Sequence, residues 1–262
     1  MKITATVITL NEERNIRAAL ESLSWADEIV LVDSGSTDRT VTIAHEFTNK
    51  VIVRPWPGYS QQKNFAAEQA TNDWIFNLDA DERVSPKLAA EIHRLKSTVE
   101  PAATGYEMAR RVFYLGRWIK HSGWYPDYKL RLYDRRSGRF SGDFVHESVI
   151  ADGPVERLAG EILHYTASSA SEHHLRMDRY TTLAANELLA RGKKGSVLSI
   201  LISPWLAFVR SYFLRLGILD GVPGLAIACF AAHYIFLKNL KLWEQSVKPT
   251  QPPSPRAADP PG

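Results

Sequence analysis

The sequence predicts an α/β fold, a mainly parallel sheet flanked by helices, with a helical appendage toward the C-terminal end. Three observations carry this. Strand-like apolar runs alternate with helical patterns over the first hundred residues or so. Polar residues gather at the carboxyl ends of those runs, where open α/β sheets bind ligands. Strongly apolar stretches then occupy 197–208 and 222–237.

Ile3 to Thr9 is a β-rich run, and Asn11 is placed to cap a helix in which Ile16, Ala19, Leu20 and Leu23 recur at helical spacing. EIVLVD, Glu28 to Asp33, reads as a second buried strand that breaks at Ser34-Gly35-Ser36; Val41, Ala44 and Phe47 suggest the next helix. Val51 to Val53 is a short strand and Gln61 to Ala70 is helical. WIFNL, Trp74 to Leu78, is a fourth strand delivering Asp79-Ala80-Asp81-Glu82, and Ser85 caps a helix with Pro86 at its first position. Short aromatic β-like runs follow from Thr104 to Tyr165.

These shifts divide the chain into 1–100, a nucleotide-binding half; 101–170, a second half of the same domain; 171–247, helical; and 248–262, a Pro-rich tail expected to be disordered. The 262 residues suit one substantial core. With 45% hydrophobic and 23% charged residues, disordered, collagen-like and disulfide-scaffold classes fit poorly. The single Cys229 gives no intrachain disulfide, so a reducing cytoplasm is the expected compartment. A net charge of +3 with scattered cations lacks the dense stripe of a duplex reader, so no nucleic-acid partner is expected.

Asp79-Ala80-Asp81 is a D-x-D element at a strand end, an arrangement that suits a hard cation bridging a diphosphate; the bland alternative is a solvated turn. Asp33 can meet a nucleotide ribose or base edge, or simply shape the turn before Ser-Gly. Neither G-x-G-x-x-G nor G-x-x-x-x-G-K-[ST] occurs, which removes dinucleotide and P-loop readings.

VITLNEERNI, EIVLVDSGSTDRT, GYSQQKNFA and WIFNLDADERVS, in this order, resemble the inverting glycosyltransferase family 2, which has the Rossmann-like GT-A fold. GWYPDYKLRLYDRR, DFVHE and LHYT narrow the resemblance to a bacterial branch containing lipopolysaccharide core β-glycosyltransferases, and it covers approximately residues 3 to 245. The resemblance implies that Thr9, Asn11, Glu12 and Asp33 line a nucleoside pocket and that Lys63 and Asn64 lie near the donor, Lys63 as a phosphate contact or a solvent-facing lysine. It implies that Asp79, Ala80 and Asp81 hold the diphosphate through Mg²⁺ or Mn²⁺, with Asp81 the more direct ligand. The implied reaction moves a hexose, glucose for example, from a UDP-sugar to a lipid-linked glycan.

An inverting transfer needs a carboxylate to take the acceptor proton. Glu147 matches the family position and Asp143 is the alternative. His146 and His164 are candidate third metal ligands or phosphate contacts, with a structural role the plainer alternative. Trp124, Tyr125 and Asp127 are candidates for an acceptor wall, with core packing the plainer role for Trp124. A catalytically silent scaffold is the competing class, and the intact acidic residues count against it. A sugar nucleotidyltransferase would carry a glycine-rich loop where this chain has TLNEERN.

The apolar run 222–237 supplies sixteen residues, short of the ~20 a spanning helix needs. With Arg210, Arg215, Lys238 and Lys241 beside it, and Trp205, Tyr212, Tyr234 and Trp243 nearby, the expectation is a pair of interfacial helices on the inner face of the cell membrane.

Overall fold

The computed structural model describes residues 1–97, 101–142, 147–166 and 169–247; Asp143, His146 and the tail 248–262 lie outside them. The first half runs β1 (Ile3–Thr9), α1 (Ile16–Glu21), β2 (Glu28–Asp33), α2 (Thr40–Ala44), β3 (Val51–Val53), α3 (Tyr59–Glu68), β4 (Trp74–Asp79), β5 (Glu82–Val84) and α4 (Pro86–Lys96). Then follow β6 (Gly105–Tyr114), β7 (Arg117–Trp118), β8 (Asp127–Asp134), β9 (Gly138–Ser141), β10 (Ser148–Ala151) and β11 (Val155–Tyr165). The chain continues with α5 (Ala170–Ala190), α6 (Val197–Val209) and α7 (Gly221–Ser246).

A nine-stranded sheet is ordered β3-β2-β1-β4-β8-β6-β11-β5, with β7 on β6. The parallel character read from the sequence belongs to β3, β2, β1 and β4. Beyond β4 the sheet is mixed: β8 is antiparallel to both neighbours, β6 and β11 are parallel, and β5 returns antiparallel on β11. β5 has no sequence signature, being three residues of mixed polarity directly after Asp81. Register decides what the strands present. Thr9 pairs with Asp33, and Ile8 with Asp79, so three polar strand ends arrive at one edge.

The main core lies between the sheet and α1 and α4, around Val7, Leu20, Leu31, Phe76, Leu88 and Ile162. Every residue of β1 is buried, as expected for a central strand covered on both faces. Ser85 caps α4 by accepting from Leu88 N at 3.2 Å, with Pro86 in the first turn as the sequence indicates. That turn presses on a bulge in β11: a Cβ on Gly160 would lie 2.4 Å from Leu88 Cα, so only glycine fits.

Asn11 departs from its expected role. α1 starts at Ile16 with Asn15 at the cap, whereas Asn11 takes a left-handed backbone with φ 55°. Its short side chain tolerates that conformation and bonds across to the loop after β2.

The C-terminal helices are longer than their apolar cores suggest. α6 continues through a π-helical turn, Arg210–Leu214, and α7 runs 26 residues, or about 39 Å. Its early Pro223 and Gly224 sit in the first turn, where proline is tolerated, so they do not interrupt the helix. By length and composition, 197–214 and 217–246 could each cross a membrane, which removes the shortness argument above.

Two polar knots fix these helices to the domain. Asp220, 1% exposed, accepts from His121 N at 2.8 Å and from His121 Nδ1 at 3.1 Å. Lys241 Nζ donates to Asp178 Oδ1 at 2.7 Å, Thr182 Oγ1 at 2.8 Å and Thr181 Oγ1 at 3.0 Å. Lys241 is therefore turned onto α5 rather than presented to a lipid surface. What remains outside is apolar, with Leu198, Leu201, Trp205, Leu206, Leu214 and Val222 all more than half exposed.

Candidate functional site

The loops after β1 and β2 interlock at the carboxyl edge of the parallel strands. Asn11 Oδ1 accepts from Thr37 N at 2.8 Å, Asn11 N donates to Ser36 Oγ at 2.8 Å, and Glu12 N donates to Thr40 Oγ1 at 2.8 Å. Asp33, 1% exposed, accepts from Gly35 N at 2.8 Å and Ser36 N at 2.7 Å through Oδ2, and from the Ser36 hydroxyl through Oδ1. These bonds use about three of its four acceptor positions, so its first role is to shape the loop and at most one position remains for a nucleoside. Thr9 Oγ1 is buried without a partner among the described residues. Burial pushes the Glu12 carboxyl up, opposed by a hydrogen bond from Asn15 and reinforced by Asp81.

The two aspartates of the D-x-D element are in different surroundings. Asp79 Oδ1 lies 2.8 Å from Lys63 Nζ and its Oδ2 lies 2.8 Å from Arg131 Nη2. Burial raises its pKa, but Arg131 and then Lys63 outweigh that and hold it well below the usual carboxylate range. Arg131 also bonds Asn77 at 2.8 Å and the fully buried Glu82 at 3.0 Å, and Glu82 meets Arg110 at 3.4 Å. Asp79 is thus committed to a buried charge network. Ala80 is 6% exposed and packs into the main core between the two acids.

Asp81 instead faces a cleft of about 570 Å³ shared with Asn11, Glu12, Asp38, Tyr165 and Arg176. Its Oδ2 lies 3.1 Å from His164 Nε2, while His164 Nδ1 is buried with no partner among the described residues. The antiparallel pairing of β5 with β11 sets His164 opposite Glu82 and so beside Asp81. A carboxylate and an imidazole can form part of a divalent ion's shell, since Mg²⁺ and Mn²⁺ sites commonly take one or two protein ligands and fill the rest with phosphate and water. No group of three or more His, Cys, Asp or Glu occurs among the described residues as a ready cage. Asp81 and His164 therefore fit the ion better than Asp79 does.

Lys63 is 1% exposed, which overturns the solvent-facing alternative. Its ammonium joins Asp79 to Glu147, whose Oε1 lies 3.4 Å away, and sits 5.1 Å from the centre of the Phe140 ring. Asn64 is a brace: its amide donates to Phe140 O and its carbonyl accepts from Phe140 N, both at 2.9 Å, holding β9 on α3. The expected acceptor wall does not come together as a unit. Tyr125 donates to Glu161 at 2.6 Å, and Asp127 is paired with Arg110 at 2.7 Å and Lys129 at 3.1 Å. Trp124 packs 5.3 Å from Tyr114 and also lines a second cavity, of about 630 Å³, under α6 and α7.

Arg131 and Glu82 were not singled out by sequence reasoning. The available signal was an arginine flanked by two leucines in the β8 run KLRLYD, which places a charge in a buried strand and so demands a buried acid. A further depression, around Leu20, Asp27 and Lys50, lies at the opposite ends of β1 and β2, far from these groups.

Comparison with known proteins shows the family and the fold. The sequence model of "Glycosyl transferase family 2" matches residues 4–150. The chain is 32% identical over 260 residues to "Lipopolysaccharide core biosynthesis glycosyltransferase LpsC" of Rhizobium meliloti (strain 1021), covering 96% of each. It is 33% identical to an uncharacterized glycosyltransferase of Rickettsia typhi, covering 94% of this chain and 88% of the other. Among solved structures, the mannosyltransferase PcManGT from Pyrobaculum calidifontis, in complex with GDP-Man and Mn²⁺, superposes with a TM-score of 0.52 at 16% identity over 93% of this chain and 88% of that one. At that identity the likeness speaks for the fold.

Proposed function

The chain belongs to glycosyl transferase family 2, and on that premise we propose that it is an inverting, metal-dependent transferase moving a hexose from a UDP-sugar to a hydroxyl of a lipid-linked glycan such as lipopolysaccharide inner core. The observation that carries the reading is the chain of contacts from the D-x-D element to a carboxylate: Asp79 to Lys63 at 2.8 Å and Lys63 to Glu147 at 3.4 Å. In this reading it ties the acidic element that ends β4 to the carboxylate proposed as the base. Full-length similarity to a lipopolysaccharide core enzyme supports the acceptor class.

In this mechanism the interlocked loops carrying Thr9, Asn11, Glu12 and Asp33 receive the nucleoside. Asp81 and His164 would hold Mg²⁺ or Mn²⁺, which offsets negative charge on the departing diphosphate. Glu147 accepts the proton of the acceptor hydroxyl while that oxygen bonds the anomeric carbon from the face opposite the donor. The carbon–oxygen bond to the diphosphate breaks, the configuration inverts, and a nucleoside diphosphate leaves with the bonding electrons. Lys63 keeps Asp79 and Glu147 in a fixed relation; its ammonium reaches donor phosphate only by exchanging one of these partners.

The exposed apolar side of α6 and the start of α7 supports a peripheral seat on the inner face of the cell membrane. Lys241 is held on α5 by Asp178, Thr181 and Thr182, a polar seam that a peripheral seat leaves at the water side. The same face would serve a polyprenyl-linked acceptor, which product analysis separates from a lipopolysaccharide core.

The test is calorimetric titration with UDP, GDP and dTDP, with and without Mn²⁺, followed by product analysis with UDP-hexoses, UDP-glucose first. Metal-dependent binding of UDP and release of UDP with a β-linked product are expected. Absence of binding by every nucleotide would favour the silent scaffold, and pyrophosphate release would indicate a nucleotidyltransferase.

A further inference from the structure

We propose that the cavity beneath α6 and α7 binds the anionic group of an amphiphilic acceptor, a phosphate or carboxylate on the sugar head, with the lipid leaving over the apolar face of α6. This names a site for the acceptor class read above and rests on that reading for the occupant's role.

Three guanidinium groups, Arg176, Arg210 and Arg215, line this space of about 630 Å³, and no Asp or Glu is among its lining residues. Arg176 is partly spent, on Glu172 at 2.9 Å and Thr166 at 3.2 Å. The side chains of Arg210 and Arg215 have no hydrogen bond or ion pair among the described residues. Both residues are exposed and stand at the rim of the cavity, where two unpaired forks can take an oxyanion in bidentate fashion.

The backbone is shaped to seat one of them. Gly123 has φ +79°, which favours glycine, and the Arg215 side chain lies directly over it, 2.0 Å from where a Cβ would stand. Ser122 N donates to Arg215 O at 2.8 Å, tying the two segments together. Ser122 is 3% exposed, is among the lining residues, and has a buried hydroxyl with no partner among the described residues.

The surroundings identify the ligand as amphiphilic. Trp124, Tyr180, Phe230 and Tyr234 supply aromatic faces suited to a sugar ring or the first part of a lipid. Thr166 and Arg176 line both this cavity and the cleft of Asp81 and Glu12, so its occupant extends toward the reacting centre. On the other side, Trp205, Leu206, Phe213 and Leu214, each more than half exposed, neighbour Arg210 in sequence and form the apolar exit. A free anion would need the arginines without that exit.

The experiment is calorimetric titration of the full chain with dihexanoyl phosphatidic acid as a monomer, with dihexanoyl phosphatidylcholine as the neutral-headed control and inorganic phosphate as the lipid-free control. The Arg210→Gln/Arg215→Gln variant is compared with Lys193→Gln/Lys194→Gln, which removes the same charge from an exposed loop. The phosphatidic acid should bind more tightly than both controls, and the arginine variant should lose roughly tenfold or more while the lysine variant loses little. Equal binding of the neutral-headed lipid, or equal loss in the two variants, would overturn the site. Inorganic phosphate binding as tightly as the phosphatidic acid, with the same arginine dependence, would overturn the amphiphilic occupant in favour of a free anion. UDP titration of the same variants keeps the two readings apart: intact nucleotide binding with lost lipid binding locates the defect here, and lipid binding without nucleotide binding in the parent chain would defeat the transferase reading alone.

Discussion

The ammonium of Lys63, buried on the inner face of α3, lies 2.8 Å from the carboxylate of Asp79 at the end of β4. Neither group belongs to a surface pair: Lys63 is 1% exposed, and the second oxygen of Asp79 is held by Arg131. Removing one member of such a pair leaves an uncompensated charge. Lys63→Met is expected to destabilise the fold by about 2–4 kcal/mol in urea unfolding, the lower end reflecting the partial exposure of Asp79. A change within experimental error would mean that Arg131 alone satisfies the carboxylate.

The two aspartates of the D-x-D element should fail differently. Asp81→Asn is expected to remove metal-dependent affinity for UDP while leaving the unfolding midpoint nearly unchanged, because Asp81 faces the cleft. Asp79→Asn should lower stability, because Arg131 and Lys63 lose their shared anion. Calorimetry and unfolding on both variants decide it, and the reverse pattern would move the metal to Asp79.

Glu147→Gln keeps the shape of the side chain and removes its basicity. Transfer should fall by roughly two to four orders of magnitude, with UDP affinity retained. Wild-type turnover in this variant would return the role of base to Asp143.

Acid stability offers a test away from the site. Burial tends to raise the Glu28 carboxyl, yet hydrogen bonds from Lys50, Thr4 and Thr71 outweigh it and bring it down from 4.5 to about 2. A depressed folded-state pKa contributes stability that is complete above the unfolded value and is lost as pH falls through the folded one. The contribution should therefore be present above pH 4.5 and disappear between 4.5 and about 2. Glu28→Gln should be less stable at neutral pH and show a flatter profile across that interval; parallel profiles would remove Glu28 as the source.

The apolar face of α6 can be tested without touching the site. Trp205 is 71% exposed and Leu201 64%, so Trp205→Glu with Leu201→Glu should leave unfolding unchanged. Binding to anionic vesicles should drop by tenfold or more, given about 1.5–3 kcal/mol for each apolar side chain withdrawn from the membrane. Undiminished flotation with vesicles would place the contact elsewhere.

Much of the first half was legible because a buried strand must be a continuous apolar run and must end where polar residues begin. Ile3–Thr9, Glu28–Asp33 and Val51–Val53 appear in the structure with the bounds read from the sequence, and the Ser85–Pro86 cap is where the local chemistry puts it. Asn11 misled because asparagine is favoured both at helix caps and in left-handed turns, and only the neighbouring loop with Thr37 selects the second. The stretch 171–247 reads as helical in the sequence, and α7 runs to Ser246 within it; what the sequence does not show is that Lys241 in its polar final turns is bonded to α5.

The sequence by itself determined the α/β order of elements, the family and the presence of acidic groups at the carboxyl ends of β2 and β4, since these follow from local periodicity and motif chemistry. Tertiary structure decided what each charge does. It gave Asp79 to Lys63 and Arg131, brought His164 across 83 positions to Asp81, and set Arg210 and Arg215 at the rim of one cavity. The reason is physical: apolar spacing reports how deeply a segment is buried, whereas the state of a carboxylate depends on which cation the register of distant strands sets against it.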